Sequence, residues 1–387
     1  MSATRAQVKG WFQAAIKAVD PDDLTRSALT GPPGTLIAIG KAAAGMCRGA
    51  AEALGPVTGV CVTDHIDYVP PGIELLIGDH PIPGPNSLQA GERVLEAARC
   101  APGRIIVLIS GGGSALCEMP WPGIDLSFIR HANEVLLRSS ASIEETNLIR
   151  GHLSAIKCGG LARAAGRRIE TLIISDVAGA GPEVVASGPT ISMAFDPARA
   201  RRTMYQHDID VPERVYEVMS RPPGAFGETT IKVLADGRDA ARAAAAAASS
   251  EGFEARVSKE WISGELTSCL DRFLADSEPG VTVAAGEATV EVTGSGSGGR
   301  NSHAALLAAT RIADSASVFA AFATDGVDGV SEGSGAIVDG LTLARGGDST
   351  QYLADFDSAG YLASTNDLIP SMATGTNVAD LWIIENA

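Results

Sequence analysis

The feature that most constrains the fold is an alternation, along most of the chain, of short apolar runs with alanine-rich helical patterns. In the first half, each apolar run has the length of a buried strand, and several end directly in a glycine or a polar turn. The runs are TLIAIG (35–40), GVCVTD (59–64), IELLIG (73–78), RIIVLIS (104–110) and TLIISD (171–176). This alternation is typical of a parallel sheet covered by helices on both faces. Ligands of such sheets bind beyond the carboxyl ends of the strands, so chemistry is expected in the turns.

A break divides this pattern at residues 220–229, where two prolines and two glycines precede the next apolar run, TIKVLAD (230–236). The second half resumes with an alanine-rich helical pattern at 238–252, followed by further strand-like runs. At roughly 150 residues per domain, a chain of this length predicts two or three domains. We therefore place a domain boundary at the break.

Composition and charge exclude several classes of protein. The formal net charge of −16 gives a surface that repels phosphate backbones, so a nucleic-acid-binding protein is not expected. No apolar run approaches the ~18 residues that a membrane-spanning helix needs. The six cysteines contain no C-x-x-C pair, which favours reduced and mostly buried thiols. We expect a cytoplasmic protein that binds a small molecule and no membrane; whether it forms a homodimer is left open.

The segment SGGGSAL (110–116) lies between a predicted strand and a predicted helix. Three successive glycines let backbone N–H groups approach an anion without obstruction by Cβ atoms. The helix N-terminus that follows adds partial positive charge. A tight turn alone needs fewer glycines, so we predict an anion cradle. Its residues are Ser110, Gly111, Gly112, Gly113 and Ser114.

Lys41 follows the apolar run 35–40 in a chain that has six lysines. The surrounding IGKAAAGM segment is not a Walker A motif, because Ala42 stands where a Ser or Thr would hold magnesium. A lysine at the end of a buried strand is unfavourable unless it has a partner. A functional role is therefore favoured over a surface lysine at a helix start.

A second glycine-rich segment, TGSGSGGRNSH, spans residues 293–303. Its glycines have G-x-G-x-x-G spacing, which by itself suggests a dinucleotide-binding turn. The acidic residue expected about twenty positions further on would be Asp314, which precedes the next strand instead of ending it, so the fit is poor. Arg300, directly after the glycines, suits polyphosphate oxygens because its guanidinium is a fixed fork. A flexible linker is the alternative.

Acidic and basic side chains follow other predicted elements. Asp176 and Asp325 each end a strand-like run, and Asp328 follows Asp325 closely. Carboxylates placed in this way can hold Mg²⁺ or orient a hydroxyl group. An Asx-turn or a helix N-cap would explain either residue equally well. Helical spacing places Arg150, Ser154 and Lys157 on one face, which could receive an anionic substrate or simply face solvent.

Glycine cradles, a lysine, an arginine and two aspartates together are what phosphoryl transfer needs. The order of the motifs resembles the type 2 glycerate kinases, also called the MOFRL family, many of which carry the provisional name hydroxypyruvate reductase. The resemblance extends over about residues 11–381. It rests on IGKAAAGM, GDHPIPGPNS, LISGGGSAL, SIEETNLIRGHLSAIKCGGLA, ISDVAGAGPEVVASGPT, GSGSGGRNSHAAL, ATDGVDGVSEGSGAIVDG and TGTNVADL.

This resemblance implies an active site in the cleft between two α/β domains, with ATP and Mg²⁺ as cofactors. It implies transfer of a phosphoryl group to the 2-hydroxyl of D-glycerate, giving 2-phospho-D-glycerate. The implied catalytic residues are Lys41, Arg300 and Asp176, with Asp325 as the metal ligand. The residues expected to bind nucleotide or substrate are Ser110, Gly111, Gly112, Gly113, Ser114, Gly298, Gly299, Asn301, Glu287, Arg150 and Lys157. The chain departs from the family pattern at Ala288, Ala180 and 371–373.

We therefore predict two three-layer α/β domains. The N-terminal domain (1–225) is Rossmann-like with a mostly parallel sheet, and the C-terminal MOFRL domain (226–387) has a mixed sheet. The predicted activity is an ATP-dependent glycerate 2-kinase. An NAD(P)H-dependent hydroxypyruvate reductase is the alternative, supported by the glycine spacing and the provisional name. A non-catalytic sensor would lack the charged residues, which are present here.

Overall fold

The structure, a computed structural model, describes residues 3–139 and 141–386. Its α-helices are α1 (Arg5–Ala18), α2 (Pro21–Ala28), α3 (Ala43–Leu54), α4 (Pro85–Cys100), α5 (Gly113–Leu116), α6 (Leu126–Arg138), α7 (Ile143–Leu153), α8 (Gly160–Ala165), α9 (Pro197–Gln206), α10 (Glu213–Met219), α11 (Gly237–Ser250), α12 (Leu266–Asp276), α13 (Arg300–Arg311), α14 (Thr342–Gly346), α15 (Thr350–Ala354) and α16 (Ser358–Ser364). Its strands are β1 (Thr35–Ile39), β2 (Thr58–Thr63), β3 (Ile73–Ile77), β4 (Ile105–Ile109), β5 (Ile169–Ile174), β6 (Thr229–Ala235), β7 (Ala255–Val257), β8 (Ile262–Glu265), β9 (Gly280–Thr289), β10 (Val318–Ala323), β11 (Gly333–Asp339), β12 (Leu368–Pro370) and β13 (Asp380–Asn386).

The described residues fall into two compact units. The first unit comprises residues 21–175 and 180–234, and the second comprises residues up to 20, 176–179 and from 235 onward. Each unit contains one β-sheet. The domain limits drawn from the sequence stay a prediction.

The first unit is built on a parallel sheet with strand order β3-β2-β1-β4-β5-β6. This order is that of doubly wound dinucleotide-binding folds, in which the direction of winding reverses between β1 and β4. Both of these strands are buried along their whole length, as expected of largely apolar central strands that are covered on two faces. The prediction of a mostly parallel Rossmann-like sheet is confirmed.

A helical layer of the first unit has its own apolar cluster. Helices α6, α7, α9 and α10 contribute its buried side chains, among them Ile129, Ile149, Met204 and Val218. The N-terminus of α7 is fixed by a capping box, in which the Ser142 hydroxyl accepts from the Glu145 N–H and the Glu145 carboxylate accepts from the Ser142 N–H. This anchoring sets the start of α7, whose later turns carry Arg150 and His152.

The second unit contains a mixed sheet with strand order β12-β11-β10-β13-β9-β7, and β8 also pairs with β9. Pairings along β12-β11-β10-β13-β9 are antiparallel, whereas β7 and β8 run parallel to β9. Side chains of α12, α13 and α16 pack with Phe319 and Trp382 in one core. Phe12 of α1 stacks on Phe322, with 4.2 Å between ring centroids. The prediction of a second α/β sheet of mixed direction is confirmed.

Two further observations concern the described residues as a whole. None of their helices is both long and apolar enough to cross a membrane. The six cysteines are free thiols, and all except Cys100 are buried.

Candidate active site

The loops that follow β1 and β4 meet where the direction of winding reverses in the first sheet. The Lys41 N–H donates to the Gly111 carbonyl at 2.9 Å, and the Ala42 N–H donates to the Ser110 hydroxyl at 3.0 Å. Gly40 has a φ of +130°, and a Cβ atom there would overlap Ser110. Glycine at position 40 is therefore what allows the two loops to approach so closely.

The cradle predicted at residues 110–114 has backbone donors that the described chain does not use. The N–H groups of Gly111, Gly112 and Gly113 donate to no acceptor within the described residues. Gly112 has a φ of +83°, and a Cβ atom on Gly113 would lie 2.7 Å from Cβ of Ala186. A Cβ atom on Gly112 would lie 3.2 Å from Cγ of Lys41, so the lysine side chain extends over the cradle. Unused N–H donors beside a lysine fit a phosphate group.

A strained turn at Ala186 and Ser187 contacts the cradle. Ala186 and Ser187 have φ values of +50° and +59°, which side chains with a Cβ atom rarely adopt. The hydroxyl groups of Ser187 and Ser114 lie 2.8 Å apart and form a hydrogen bond. The carbonyl of Ser187 accepts from the Cys158 N–H at 2.9 Å. Strain of this kind, which costs about 1–3 kcal/mol per residue, is often retained at functional sites.

Lys157 and Arg150 lie deeper in the first unit. Lys157 and Glu118 are each 1% exposed and form a buried ion pair. Burial lowers the pKa of Lys157, and Glu118 opposes this effect. Arg150 donates from Nε to Oδ1 of Asn133 at 2.8 Å, and burial lowers its pKa, again against the effect of Glu118. The prediction that helical spacing places Arg150, Ser154 and Lys157 on one face is wrong, because α7 ends at Leu153, Ser154 has an extended backbone and Lys157 lies in the turn that follows.

Arg300, the first residue of α13, is held by two carboxylates of the second unit. It pairs with Glu287 of β9 and with Asp380 of β13, with 3.1 Å from Nη2 to Oδ1 of Asp380. Asp380 is 1% exposed, and burial raises its pKa to about 6 although Arg300 acts in the opposite direction. Burial alone would lower the pKa of Arg300, but the two carboxylates outweigh it and raise the pKa above its ordinary value. The guanidinium group is thus fixed in orientation and permanently charged.

The glycine-rich segment before Arg300 uses its backbone donors within the second unit. The N–H groups of Ser295 and Ser297 donate to the carboxylates of Asp355 and Asp357, each at 3.1 Å. The Gly299 N–H donates to the Ser302 hydroxyl at 2.9 Å. The segment is consequently packed against its neighbours, which is the opposite of a flexible linker.

The start of α13 is capped by a buried carboxylate. Asp328, which is 2% exposed, accepts from the N–H groups of Asn301 and Ser302 at 2.9 and 2.7 Å. The side-chain amide of Asn301 is buried beside the Asp380 carboxylate, whose pKa it acts to lower against the larger effect of burial. This helix N-terminus therefore already carries the negative charge that it favours.

The two predicted strand-end aspartates each lie two positions beyond a strand. Asp176 follows β5 by two positions and is partly buried. Asp325 follows β10, and its carboxylate accepts from the Val327 N–H at 3.1 Å in an Asx-turn. In the part of the chain that the structure describes, no three His, Cys, Asp or Glu side chains are grouped as a ready-made metal site.

Comparison with known proteins agrees with this architecture. Residues 7–220 match a family model described as a domain of unknown function (DUF4147), and residues 280–380 match the MOFRL family. The D-glycerate 2-kinase of Thermotoga maritima is 34% identical over 90% of this chain and 89% of its own length. The chain belongs to the MOFRL glycerate 2-kinase family.

Other members of the family cover nearly the whole chain. A protein of Agrobacterium vitis provisionally named hydroxypyruvate reductase is 35% identical over 99% of this chain and 94% of its own length. The crystal structure of the glycerate kinase of Thermotoga maritima covers 99% of both chains, with a TM-score of 0.88 and 31% identity. A crystal structure of a protein from Pyrococcus horikoshii covers both chains completely, with a TM-score of 0.80 and 30% identity.

The sequence predicts neither Asp380 nor Glu118 as a site residue, and it indicates Asp328 only as a carboxylate close to Asp325. Asp380 opens a strand that is otherwise apolar until Glu385, and a carboxylate at that position is a signal that could have been used. Asp328 lies in the ATDGVDG segment, but nothing in the sequence shows that it caps α13. Glu118 follows the cradle without any recognisable pattern, and its partner Lys157 is 39 positions away.

Proposed function

We propose that this protein transfers a phosphoryl group from ATP to the 2-hydroxyl of D-glycerate. The observation that carries the proposal is the pair of loops at Lys41 and Gly111–Gly113, where a lysine lies over backbone donors that the described chain leaves unused. The D-glycerate 2-kinase of Thermotoga maritima and the glycerate 2-kinase of Pyrococcus horikoshii support the choice of substrate, at 34% and 33% identity.

The cradle and the charged residues have separate roles in the proposed phosphoryl transfer. The cradle, from Ser110 to Ser114, binds phosphate oxygens, and Lys41 stabilises the negative charge on the transferring group. Arg300, whose orientation Glu287 and Asp380 fix, offers its remaining N–H groups to phosphate oxygens.

The remaining residues of the proposed site bind the nucleotide or the substrate, or orient the acceptor hydroxyl group. Asp176 orients the acceptor hydroxyl group and receives its proton. Gly298, Gly299 and Asn301 belong to the nucleotide or substrate contacts, as does Arg150, whereas Lys157 is paired with Glu118 and acts on the site through that pair.

Magnesium fits this residue set as a companion of the nucleotide. Mg²⁺ usually keeps several waters and binds through one or two carboxylates together with substrate phosphates, so a ready-made cage of three side chains is not needed. Asp325 is the proposed carboxylate. When bound, the ion neutralises charge on the phosphate groups.

A coupled assay tests the proposal directly. The purified protein is given ATP, Mg²⁺ and D-glycerate, and the product is identified by phosphorus NMR as 2- or 3-phosphoglycerate. We expect 2-phospho-D-glycerate and stoichiometric ADP. Oxidation of NADH with hydroxypyruvate, without any phosphoryl transfer, would overturn the proposal in favour of the reductase.

The first prediction concerns Lys41 within that assay. Lys41→Ala should lower kcat/KM by about 10²-fold or more, as loss of a positioned charge on a transferring group does. Lys232→Ala, an exposed lysine of β6 in the same unit, is the matched control and should keep wild-type turnover. Wild-type turnover in a folded Lys41→Ala protein would remove the lysine from the mechanism.

A further inference from the structure

Arg150 is a partly buried cation for which the described residues provide no acidic partner. Among the described residues, no carboxylate oxygen lies within ion-pair distance of its guanidinium group. Its one protein hydrogen bond runs from Nε to Oδ1 of Asn133, which is itself 3% exposed and anchored by a bond from Nδ2 to the Ile129 carbonyl at 2.9 Å. Asn133 is neutral, so it orients the guanidinium group without compensating its charge.

The buried charges near Arg150 have a net charge of +1, because Glu118 and Lys157 neutralise each other. Glu118 and Lys157 are both 1% exposed and pair with each other, so their charges cancel. Arg150 is the third charge of this group, and Glu118 acts on it only at longer range. A buried charge is very unfavourable unless a counter-charge is bound beside it. The cluster therefore calls for one singly charged anion.

A second, independent observation lies one helical turn earlier on α7. Asn147 is 1% exposed, and neither Oδ1 nor Nδ2 of its side chain has a hydrogen-bond partner in the described chain. Asn147 and Arg150 are three positions apart, a spacing that places side chains on the same helix face. Buried amides without partners are rare in proteins and are often explained by a ligand. An amide beside a guanidinium fork can bind a carboxylate together with an adjacent hydroxyl group.

The chain places α7 next to the phosphate cradle. The segment that follows α7 joins Cys158 to Ser187 by a backbone hydrogen bond of 2.9 Å, and the hydroxyl of Ser187 bonds to Ser114 of the cradle. A phosphoryl acceptor has to lie beside the phosphates of the donor. One positive charge matches a carboxylate, whereas the triphosphate of a nucleotide carries several negative charges and fits the cradle with Lys41 better.

We propose that Arg150 and Asn147 form the carboxylate-binding subsite for the hydroxy acid, with Asn133 as the residue that orients the guanidinium group. This inference rests on the proposed function for the identity of the acid. It favours 2-hydroxy acids over neutral polyols and amides, because neutral molecules leave the partly buried guanidinium group without a counter-charge. Lys157 supports the subsite through Glu118 and does not itself contact the carboxylate.

The test compares substrates with and without a carboxylate. Steady-state KM and kcat are measured for D-glycerate, its neutral analogue D-glyceramide, and ATP, in wild type, Arg150→Gln and Arg150→Lys. We expect Arg150→Gln to raise KM for D-glycerate by about 10²-fold, as truncating one partner of a buried charge pair does, with KM for ATP changed by less than about threefold. The preference for D-glycerate over D-glyceramide should fall by a similar factor. Arg150→Lys should recover part of the affinity.

Two further variants keep the test decisive. Arg130→Gln removes an exposed arginine of α6 and should leave all three KM values unchanged. Asn147→Asp is nearly isosteric and adds a negative charge, so it should weaken D-glycerate binding even if Arg150→Gln fails to fold. An unchanged ratio between acid and amide in folded Arg150→Gln, or a rise in KM for ATP alone, would overturn the inference.

Binding without nucleotide separates this inference from the proposed function. Calorimetric titration of D-glycerate, D-lactate and glycerol into wild type and Arg150→Gln needs no turnover. If wild type phosphorylates no hydroxy acid but binds both acids through Arg150, the proposed function fails and the subsite stands. If wild type phosphorylates D-glycerate and Arg150→Gln binds it normally, the subsite fails and the function stands.

Discussion

Two carboxylates hold the guanidinium group of Arg300 in a fixed direction. Glu287 and Asp380 come from different strands of the second sheet, and Asp380 is almost fully buried. A buried carboxylate beside an arginine is stable only as part of the pair, because removing either partner leaves an uncompensated charge in the interior. These two ion pairs therefore depend on the shape of the arginine as well as on its charge.

Arg300→Lys tests this dependence on shape. Lysine keeps the positive charge but loses the planar fork, so it cannot satisfy both carboxylates and a phosphate together. We expect kcat/KM to fall by about 10²-fold, mainly through kcat if Arg300 contacts the transition state and mainly through KM if it contacts only bound substrate. Arg311→Lys, on the same helix and paired with the exposed Asp271, should behave as wild type. Equal activity of the two variants would contradict the role of the fork.

The C-terminal turn of α7 and the start of α9 are joined through one histidine. His152 bonds through Nδ1 to the Leu148 carbonyl at 2.8 Å and accepts at Nε2 from the Asp196 N–H at 3.2 Å. Its ring also stacks on Phe195, with 5.0 Å between centroids. With Nδ1 as donor and Nε2 as acceptor, the ring is neutral, and burial lowers its pKa.

The lowered pKa of His152 predicts a loss of stability in acid. In the unfolded chain the histidine takes up a proton near its ordinary pKa of about 6.5, whereas the folded protein resists protonation until lower pH. The stabilisation is therefore complete above that pH and disappears as pH falls through the folded pKa. Urea unfolding from pH 7 to pH 5 should show a slope of up to about 1.4 kcal/mol per pH unit for this proton.

His152→Gln should reduce that slope. His303 also has a pKa lowered by burial, so part of the pH dependence should remain in the variant. His131→Gln removes an exposed histidine of α6 and should keep the full slope. Identical slopes in wild type and His152→Gln would show that His152 is protonated equally in both states.

The chain does not complete one unit before it begins the other. Helix α1 and residues 176–179 belong to the second unit, while strand β6, which follows the proline-rich break, pairs with β5 of the first. Ligands that bind such a protein only when it is folded raise its stability by mass action. Nucleotide binding should therefore be visible in the melting of the intact chain.

The thermal unfolding temperature of the intact chain distinguishes a nucleotide–Mg²⁺ cofactor from NADH. ATP or ADP with Mg²⁺ should raise Tm, since a ligand at one hundred times its Kd adds about 2.7 kcal/mol to the stability. Mg²⁺ alone serves as the control for the ion, and NADH should have no effect. Stabilisation by NADH without stabilisation by either nucleotide would favour the reductase.

The sequence by itself determined the elements and the glycine turns, because both depend on neighbouring residues. Apolar runs such as 35–40 and 104–110 have a length that only buried central strands accommodate, and they became β1 and β4. The SGGGSAL segment likewise predicted backbone donors that the chain itself would not use, and the N–H groups of 111–113 have no acceptor among the described residues. The parallel first sheet, the mixed second sheet and the family all followed from such local signals and from motif order.

Only the tertiary structure decided which charges meet. Glu118 is 39 positions from Lys157 and Asp380 is 80 positions from Arg300, and no periodicity links residues so far apart. The same holds for the backbone donors of 294–299, which face Asp355 and Asp357 across about sixty positions, and for the pairing of β6 with β5. Local sequence fixes backbone propensity and burial pattern, whereas the free energy of a charge depends on what the folded chain brings within a few ångströms of it.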